Sequence, residues 1–343
     1  MTTFMKAAFF NPSTGLIIKE TKTPQISKRE VLVKLKAAGI CASDVYYMQG
    51  NLEYSKTPII PGHEGSGIVE KVGEDVTNIS PGDRVVIHYV VSCGKCTYCL
   101  AEKENLCKSI KLIGFDLDGT FAEYIVVPES NVVKLPENVS YEYGAISGCA
   151  VVTPYHAAKI GKISSGETIA IIGLGGVGIH AIQIAKKFGA EKVVGIDINP
   201  FKLKIAEKYG ADYVINPIET NLVEEIKTFV DDGVDVVFDF VGKEETIAQA
   251  LKAVRRGGRV VLLGLVNKPI MFPVPELLYN EKQFLASIDH TRKDLVEVLD
   301  LINKGEIDLS RSITHFTSLN NLHEALDMFK AKKENFVRMI IKF

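Results

Sequence analysis

Four cysteines lie within fifteen residues of one another in the first third of the chain, at Cys93, Cys96, Cys99 and Cys107. Thiolates separated by two residues, with a fourth a short distance along the chain, can wrap around one tetrahedral metal ion, which in proteins is usually zinc. A disulfide framework is the alternative, but disulfide-dense scaffolds are small, whereas this chain has 343 residues and only two further cysteines. The spacing therefore predicts a closed structural zinc site and leaves the other two cysteines for a separate role.

Composition and charge restrict the class of protein. A chain of 343 residues exceeds one ordinary hydrophobic core, so two domains are expected. The formal net charge is −2, which gives no general attraction to nucleic acid or to an anionic membrane surface. No apolar run reaches the roughly 18 residues of a membrane span, and the first residues have no long apolar core. We therefore expect a cytoplasmic protein that binds a small molecule rather than nucleic acid or a membrane.

The pattern of apolar runs changes along the chain. Before about residue 147, β-like runs such as Glu30–Leu35 and Arg84–Ile87 are separated by Gly and Pro, which indicates an irregular, mostly antiparallel β domain. From there to residue 288, apolar strands such as Thr168–Ile172 alternate with amphipathic helical segments, which is typical of a parallel sheet covered on both faces. The predicted fold class is α/β, with a β-rich domain formed by 1–148 and 289–343 and a doubly wound parallel-sheet domain formed by 149–288.

A glycine-rich segment follows the first strand of the second region. Gly173, Gly175 and Gly178 fit the pattern G-x-G-x-x-G, with Gly176 and Val177 at the variable positions before the last glycine. The preceding residues are wholly apolar, as in a central parallel strand, and a helical pattern follows directly. The first glycine permits the tight turn, the second lets backbone approach a pyrophosphate, and the helix N-terminus attracts the phosphates. The segment therefore predicts a dinucleotide site.

The end of the next strand indicates which dinucleotide binds. Asp197 stands nineteen residues after Gly178, where a carboxylate can accept hydrogen bonds from both adenosine ribose hydroxyls and would repel a 2′-phosphate. No arginine stands next to it to hold such a phosphate, and Lys202, one helical turn on, is within reach of the ribose. The alternative is that Asp197 only caps the turn at Asn199-Pro200. We predict NAD rather than NADP as the cofactor.

Three further residues, Cys41, His63 and Cys149, carry side chains that bind metals. Each has an ordinary structural interpretation when taken alone, because a buried Cys behaves as a small apolar residue and a loop His can cap a turn. As a set, two cysteines and one histidine with an open fourth position form a known catalytic zinc arrangement.

These motifs together resemble the zinc-dependent alcohol dehydrogenases of the medium-chain dehydrogenase/reductase superfamily. The resemblance runs the whole length of the chain and rests on Cys41-x-Ser43-Asp44, Gly62-His63-Glu64, the four-cysteine segment, Cys149 with Thr153 four residues later, and the Gly173–Gly178 turn. It implies a GroES-like β-rich catalytic domain joined to a Rossmann domain. It also implies that Cys41, His63 and Cys149 ligate a catalytic zinc, with Glu64 behind the metal and a ligand in some members.

The resemblance implies roles for several neighbouring residues. Asp44 would orient His63, and Ser43 would be the hydroxyl that relays the substrate proton. Thr153 and Val177 would contact the nicotinamide ring. The backbone of Leu263, Gly264 and Leu265 would bind its carboxamide, and Arg338 would reach the pyrophosphate. Many members have a histidine at the relay exit where this chain has Tyr46, so an exit through Tyr46, Tyr47 or water stays open.

The implied function is reversible, NAD-dependent oxidation of a primary or secondary alcohol to an aldehyde or ketone, with two zinc ions per chain in a homodimer or homotetramer. The aromatic and apolar side chains expected to line the substrate pocket are those of Tyr46, Tyr89, Phe115 and Leu265. A polyol or amino-alcohol dehydrogenase is the alternative, which Glu64 favours and Cys149 as third ligand disfavours. A non-catalytic NAD- or zinc-binding protein is a more distant alternative, and the complete set of zinc-site residues argues against it.

Overall fold

The computed structural model describes residues 4–265, 267, 269–331 and 335–343. This part of the chain divides into two compact units. Unit 1 contains the described residues of Met1–Val152, Asp289–Gly305 and Ser312–Phe343, and unit 2 contains those of Thr153–Ile288 and Glu306–Arg311. Among the described residues, no helix is both long and apolar enough to cross a membrane.

The strands are β1 Phe4–Asn11, β2 Gly15–Lys22, β3 Glu30–Ile40, β4 Glu64–Val72, β5 Arg84–Ile87, β6 Val90–Val91, β7 Lys111–Leu112, β8 Tyr124–Pro128, β9 Val132–Lys134, β10 Thr168–Ile172, β11 Lys192–Ile196, β12 Tyr213–Ile215, β13 Val234–Asp239, β14 Val254–Leu262, β15 Gln283–Ala286, β16 Ile313–Ser318 and β17 Arg338–Lys342. The α-helices are α1 Ala42–Met48, α2 Thr97–Leu100, α3 Tyr141–Ile146, α4 Val152–Ile160, α5 Gly178–Lys187, α6 Pro200–Lys208, α7 Leu222–Lys227, α8 Glu244–Ala253, α9 Val274–Leu278, α10 Arg292–Asn303 and α11 Leu322–Lys330.

The main sheet of unit 1 is built around β3. Its described strands lie in the order β16-β17-β3-β4-β5-β9, and β8 also pairs with β3. The strands β17, β4 and β8 all run antiparallel to β3. The apolar residues of β3 include Val31, Val33 and Leu35, which pack in one core cluster with residues of β5 and β8. At its C-terminal end β3 is buried on both faces, so this end can place side chains in a water-free environment.

The sheet of unit 2 is parallel throughout its described strands, in the order β12-β11-β10-β13-β14-β15. All five residues of β10 are buried, as its uniformly apolar sequence predicts for a central parallel strand. The chain continues from β10 to β11 on one side and returns to β13 on the other. The carboxyl ends of β10 and β13 therefore flank a switch point, which is where open α/β sheets bind ligands.

The predicted α/β class, with a GroES-like domain and a parallel-sheet domain, is confirmed by this architecture. The units differ from the predicted ranges at two places. Cys149 belongs to unit 1, because the π-helical turn over Ser147–Val151 lies against β4, β5 and α10 of that unit. Residues 306–311 group with unit 2, where the side chain of Gln183 accepts a hydrogen bond from Asp308 N at 2.7 Å and donates one to its carbonyl at 2.8 Å.

Candidate metal centres and nucleotide site

The four cysteines of the predicted structural site converge in unit 1. Their sulfur atoms all lie within 4.8 Å of one another. The separation is 3.5 Å between Cys96 and Cys99, and 3.9 Å both between Cys93 and Cys99 and between Cys96 and Cys107. Tetrahedral zinc with Zn–S bonds of about 2.3 Å requires sulfurs about 3.8 Å apart. The spacing of the four side chains therefore fits a zinc ion.

Backbone hydrogen bonds favour the thiolate at two of these four cysteines, whereas burial raises the pKa of Cys99 to about 11. Backbone N–H groups of Cys99 and Lys108 lower the pKa of Cys96 to about 6. The N–H groups of Lys95 and Cys96 likewise lower the pKa of Cys93. Metals bind the thiolate and not the thiol, so these backbone donors prepare the ligands before any metal arrives.

A second potential metal-binding group lies in the interior of unit 1. One ligand atom from each of Cys41, His63, Glu64 and Cys149 lies within 4.8 Å of all the others, and all four residues are buried. Cys41 directly follows β3, and His63 directly precedes β4. Cys149 lies in the π-helical turn between α3 and α4. The two strand ends and the helical turn thus bring together residues that are more than 100 positions apart in sequence.

Asp44 fixes the orientation of two of these ligands. Its Oδ2 accepts a hydrogen bond from the backbone N–H of Cys41 at 2.9 Å, and its Oδ1 lies 2.8 Å from Nδ1 of His63. Burial acts to lower the pKa of His63, but the charges and hydrogen bonds of Asp44 and Cys41 together outweigh it and raise the pKa well above its usual value. A carboxylate on Nδ1 keeps the proton there and leaves Nε2 as the metal-binding atom.

The thiols of Cys41 and Cys149 form one proton-sharing pair. The hydrogen bond from Cys149 lowers the pKa of Cys41, and the same hydrogen bond raises the pKa of Cys149. This hydrogen bond therefore favours a thiolate at Cys41 and a thiol at Cys149. A metal ion that binds both sulfurs must displace this proton, so metal uptake at this site releases a proton.

Arg338 has a partner in unit 1 that the sequence did not indicate. It is buried, with 2% of its surface exposed, and its guanidinium forms an ion pair with Glu64 Oε2, while the predicted contact with the cofactor pyrophosphate stays a prediction. Burial raises the pKa of Glu64 to about 7, against the opposing effect of the Arg338 charge. Strand pairing brings Arg338 to Glu64. β17 begins at Arg338 and lies against β3, so the Arg338 side chain enters the interior that contains the buried potential ligands.

Aromatic rings enclose the His63 side of this group. The ring of His63 lies 5.0 Å from that of Tyr89 and 5.1 Å from that of Phe115. The Tyr89 hydroxyl donates to Asp289 Oδ1 at 2.8 Å, and Tyr47 packs against Phe115 at 4.3 Å. Tyr89 and Phe115 were expected to line the substrate pocket, which stays a prediction, and both rings pack beside His63. Asp289 was not predicted as a neighbour of this region, because only the folded chain brings residues 89 and 289 together, and the contact of Tyr47 with Phe115 was not predicted either.

The other residues predicted to relay the substrate proton or to line the substrate pocket are partly accessible to solvent. Ser43 and Tyr46 lie in α1 and are half-buried. They follow Cys41 within the first two turns of the helix, on the chain segment that supplies the first metal ligand. Leu265 belongs to unit 2 and is 48% exposed.

The glycine turn of unit 2 has the expected geometry. Gly173 adopts φ +89° directly after β10, a conformation that L side chains rarely adopt. A side chain at Gly175 would meet no described atom within 4 Å, so its backbone is open to a ligand. A side chain at Gly178 would overlap the Gly173 carbonyl oxygen and lie 3.0 Å from Phe240. Gly176 and Val177 complete the turn, and Val177 is the N-cap residue of α5.

Asp197 is bound on both oxygens by backbone groups. Its Oδ2 accepts from Leu174 N at 2.8 Å, and its Oδ1 accepts from Asn199 N at 2.9 Å. Lys202 Nζ lies 3.8 Å away. The turn-capping role considered for Asp197 is therefore present, and the carboxylate also ties the end of β11 to the glycine turn. A ribose contact is compatible with this role, because each carboxylate oxygen can accept more than one hydrogen bond.

The other predicted cofactor residues lie in the loop after β14 and in the first turn of α4. The N–H groups of Leu263 and Gly264 donate to the Asp239 carbonyl at 2.9 and 3.0 Å, which holds the loop after β14 against the end of β13. Leu265 continues this loop. Thr153 lies in the first turn of α4. The Leu263–Leu265 loop therefore lies at the same sheet edge as the glycine turn, as the prediction requires.

Comparison with known proteins agrees with this architecture. Residues 27–137 match the alcohol dehydrogenase GroES-like domain family, and residues 176–304 match the zinc-binding dehydrogenase family. An alcohol dehydrogenase of Geobacillus stearothermophilus is 39% identical over 326 residues, which cover 94% of this chain and 95% of that protein. A sorbitol dehydrogenase of Bacillus subtilis (strain 168) is 33% identical over 348 residues, covering 98% and 97% of the two chains.

Solved structures give the same result. An alcohol dehydrogenase from Thermus sp. ATN1 has a TM-score of 0.92 at 32% identity, covering 98% of this chain and 99% of that one. A zinc-binding dehydrogenase from Sinorhizobium meliloti 1021, bound to NADP, has a TM-score of 0.92 at 29% identity, covering 99% and 100%. Acetophenone reductase from Geotrichum candidum, in complex with NAD, has a TM-score of 0.89 at 31% identity, covering 100% and 98%. The chain is therefore an oxidoreductase that belongs to the zinc-dependent alcohol dehydrogenases of the medium-chain dehydrogenase/reductase superfamily.

Proposed function

We propose that this enzyme catalyses the reversible, NAD-dependent oxidation of a primary or secondary alcohol to an aldehyde or ketone at a catalytic zinc. The observation that carries the proposal is the buried convergence of Cys41, His63 and Cys149, with Asp44 hydrogen-bonded to two of them. Sulfur and imidazole donors suit zinc, and three protein ligands leave a position for substrate. A second zinc in the four-cysteine segment would have a structural role only.

The protein residues around the metal would prepare the ligands. Bound zinc supplies a Lewis acid for the substrate oxygen, and the nicotinamide accepts or donates the hydride. Asp44 keeps the His63 proton on Nδ1, and the Cys41–Cys149 pair gives up its shared proton when the metal enters. The ion pair with Arg338 holds Glu64 beside this group.

Ser43 is the proposed first acceptor of the substrate proton, since it lies two residues after Cys41 at the start of α1. The proton could then leave through Tyr46, Tyr47 or water. Burial, together with the charges of Asp116 and Asp289, raises the pKa of Tyr47. A phenol whose pKa is raised releases its own proton less readily, so we favour water as the exit.

Asp197 supports NAD over NADP as the cofactor. Its carboxylate is 9% exposed and held by two backbone N–H groups, so it is a fixed negative charge at the end of β11. A 2′-phosphate beside it would be repelled. Lys202 at 3.8 Å offsets part of that charge, while the carboxylate is held directly on the glycine turn by Leu174 N at 2.8 Å. Thr153 and Val177 remain the proposed nicotinamide contacts, with Leu263–Leu265 for its carboxamide.

A polyol dehydrogenase is the second candidate. Glu64 belongs to the buried potential ligand group, and a sorbitol dehydrogenase is among the relatives. The two candidates predict different substrates for the same site. A homodimer or homotetramer and a cytoplasmic location stay predictions.

One assay tests the proposal. NADH absorbance is followed with a panel of primary alcohols, secondary alcohols and sorbitol, before and after chelation and again after zinc is restored. We expect turnover of simple alcohols that chelation abolishes and zinc restores, and turnover of sorbitol alone would favour the second candidate. The Cys41→Ala variant should be inactive and hold one zinc ion instead of two. Full turnover after complete removal of zinc, or a Cys41→Ala variant that still holds two ions, would contradict the proposal.

A further inference from the structure

Glu64 lies between two alternative partners in the interior of unit 1. On one side its carboxylate belongs to the potential ligand group with Cys41, His63 and Cys149. On the other side its Oε2 forms an ion pair with Arg338. Among the described residues, Glu64 Oε1 has no hydrogen-bond partner. The carboxylate could therefore serve as a metal ligand or as the partner of Arg338, and the surrounding structure must select between the two.

The geometry of the sheet explains how Glu64 reaches Arg338. Glu64 lies on β4 and Arg338 on β17, and β3 runs between these two strands. Neighbouring strands are about 4.8 Å apart, so β4 and β17 are separated by about 9.6 Å. In the register of the sheet, Gly39 of β3 is opposite Glu64 on one side and Ile340 on the other. Arg338 is two residues before Ile340, so Glu64, Gly39 and Arg338 present the same face of the sheet.

A side chain at position 39 would displace the Glu64 carboxylate from its place in this ion pair. A Cβ atom at Gly39 would overlap Glu64 Oε2. It would also lie 3.0 Å from the Glu64 carboxyl carbon and 3.1 Å from Arg338 Nη2. The carboxylate and the guanidinium therefore meet in the space that a side chain of the central strand would otherwise fill. The surrounding residues are buried, so a displaced carboxylate has no route to bulk water.

We propose that Gly39 is a positioning residue that decides whether Glu64 becomes a metal ligand. With glycine at position 39, Arg338 holds Glu64 aside, and the fourth coordination position stays open for substrate. With a larger residue there, the carboxylate moves away from β3 and toward Cys41 and Cys149, where it takes the fourth position. This inference rests on the proposed catalytic zinc at Cys41, His63 and Cys149.

The test measures access to the open coordination position with a probe ligand. The enzyme is loaded with Co²⁺, because zinc is d¹⁰ and shows no ligand-dependent visible bands. Imidazole is then titrated and the visible spectrum is recorded. The four-cysteine site is closed and should not respond to imidazole, so the change reports the other site. A Cys41→Ala variant should lose the response, and if it does not, the proposed function fails at this step, before the inference is tested.

Three variants then test the inference. Gly39→Ala should bind imidazole about tenfold more weakly or worse, since changes beside a metal typically alter its binding properties by about 10–100-fold. Arg338→Met frees Glu64 without a change in β3 and should weaken imidazole binding in the same way. The double variant Gly39→Ala with Glu64→Gln should recover wild-type affinity, because the competing carboxylate is gone.

A matched control separates this effect from general damage to the sheet. A side chain at Gly67 of β4 would overlap the Lys34 carbonyl oxygen and lie 2.9 Å from Leu35 Cα, so Gly67→Ala strains the same pair of strands. It should leave imidazole binding unchanged. Wild-type imidazole affinity in a Co²⁺-loaded Gly39→Ala or Arg338→Met protein would overturn the inference. A loss that persists in the double variant would also overturn it, since the cause would then be distortion and not Glu64.

Discussion

Asp44→Asn should weaken zinc binding at the buried site without removing a metal ligand. The Asp44 carboxylate is fully buried, accepts from Cys41 N at 2.9 Å and lies 2.8 Å from His63 Nδ1. Asparagine keeps the shape but loses the charge. Its side-chain amide also has N–H groups, and these would face either the backbone N–H of Cys41 or the Nδ1–H of His63, which are donors themselves. Both the position of Cys41 and the orientation of His63 should become less defined.

The size of the effect follows from these two contacts. Loss of a group that orients a metal-bound histidine typically costs about 10–100-fold in metal affinity. At about 1.4 kcal/mol for each factor of ten, this corresponds to about 1.4–2.8 kcal/mol. The capping contact with Cys41 N accounts for about 1 kcal/mol of folding stability in addition. That second cost is not specific to the metal and needs its own control.

Asp294→Asn provides the control. Asp294 is also buried, also the third residue of a helix, and also accepts from the backbone N–H three residues earlier, that of Thr291, at 2.9 Å. It is not part of either potential metal-binding group among the described residues. Zinc affinity is measured by chelator competition, with retention of the zinc in the four-cysteine segment as an internal reference. Equal zinc affinity in wild type and Asp44→Asn, or an equal loss in Asp294→Asn, would refute the role given to Asp44.

Three further predictions concern the cofactor, the proton and acid stability. Asp197→Gly should shift the ratio of kcat/KM values from NAD toward NADP, and a wild-type enzyme that prefers NADP would contradict the assignment. Ser43→Ala should slow alcohol oxidation by about 10²-fold or more with unchanged NADH binding, whereas Ser13→Ala, at an exposed serine of unit 1, should have no effect. Burial and the nearby charge of Arg292 lower the pKa of His88 to about 3. Between pH 6.5 and 3 the unfolded chain therefore binds a proton that the folded protein does not, so the free energy of unfolding decreases as the pH is lowered. At about 1.4 kcal/mol per pH unit, the stability lost at pH 5 is about 2 kcal/mol. Urea unfolding at pH 7.5 and at pH 5 should show this loss in the wild type and not in His88→Gln.

The parallel-sheet unit was largely predictable because its signals are local. The strands Thr168–Ile172 and Lys192–Ile196 have the predicted bounds, since each is an apolar run that ends at a turn or helix signal. β14 is longer than the predicted Arg259–Leu263, because it begins at Val254 and its pairing with β13 shifts register beside Val234. A register shift depends on the neighbouring strand, so the sequence of β14 alone does not reveal it.

The residues that converge in the buried group were visible in the sequence, but their surroundings were not. Cys41, His63 and Cys149 have side chains whose chemistry is visible in the sequence. The pairing of Arg338 with Glu64 was not predicted, because it depends on the pairing of β17 with β3, about 300 residues apart in sequence. The role of Gly39 was missed for the same reason, because a glycine in a strand carries no sign of which two side chains meet above it.

The net charge of a zinc ion bound at this site would depend on whether Glu64 is one of its ligands. Two thiolates, Cys41 and Cys149, would cancel the charge of a bound zinc ion, while His63 contributes none. Asp44 is offset by the N–H groups that it accepts from, and Glu64 by Arg338. If Glu64 became a third anionic ligand, the centre would carry a net negative charge and would withdraw less electron density from a substrate oxygen. An alcohol bound there would then keep its proton to a higher pH. If the proposed zinc site forms, Arg338 and Gly39 would act on the acidity of a bound alcohol through the position of the Glu64 carboxylate, even where that carboxylate does not touch the alcohol.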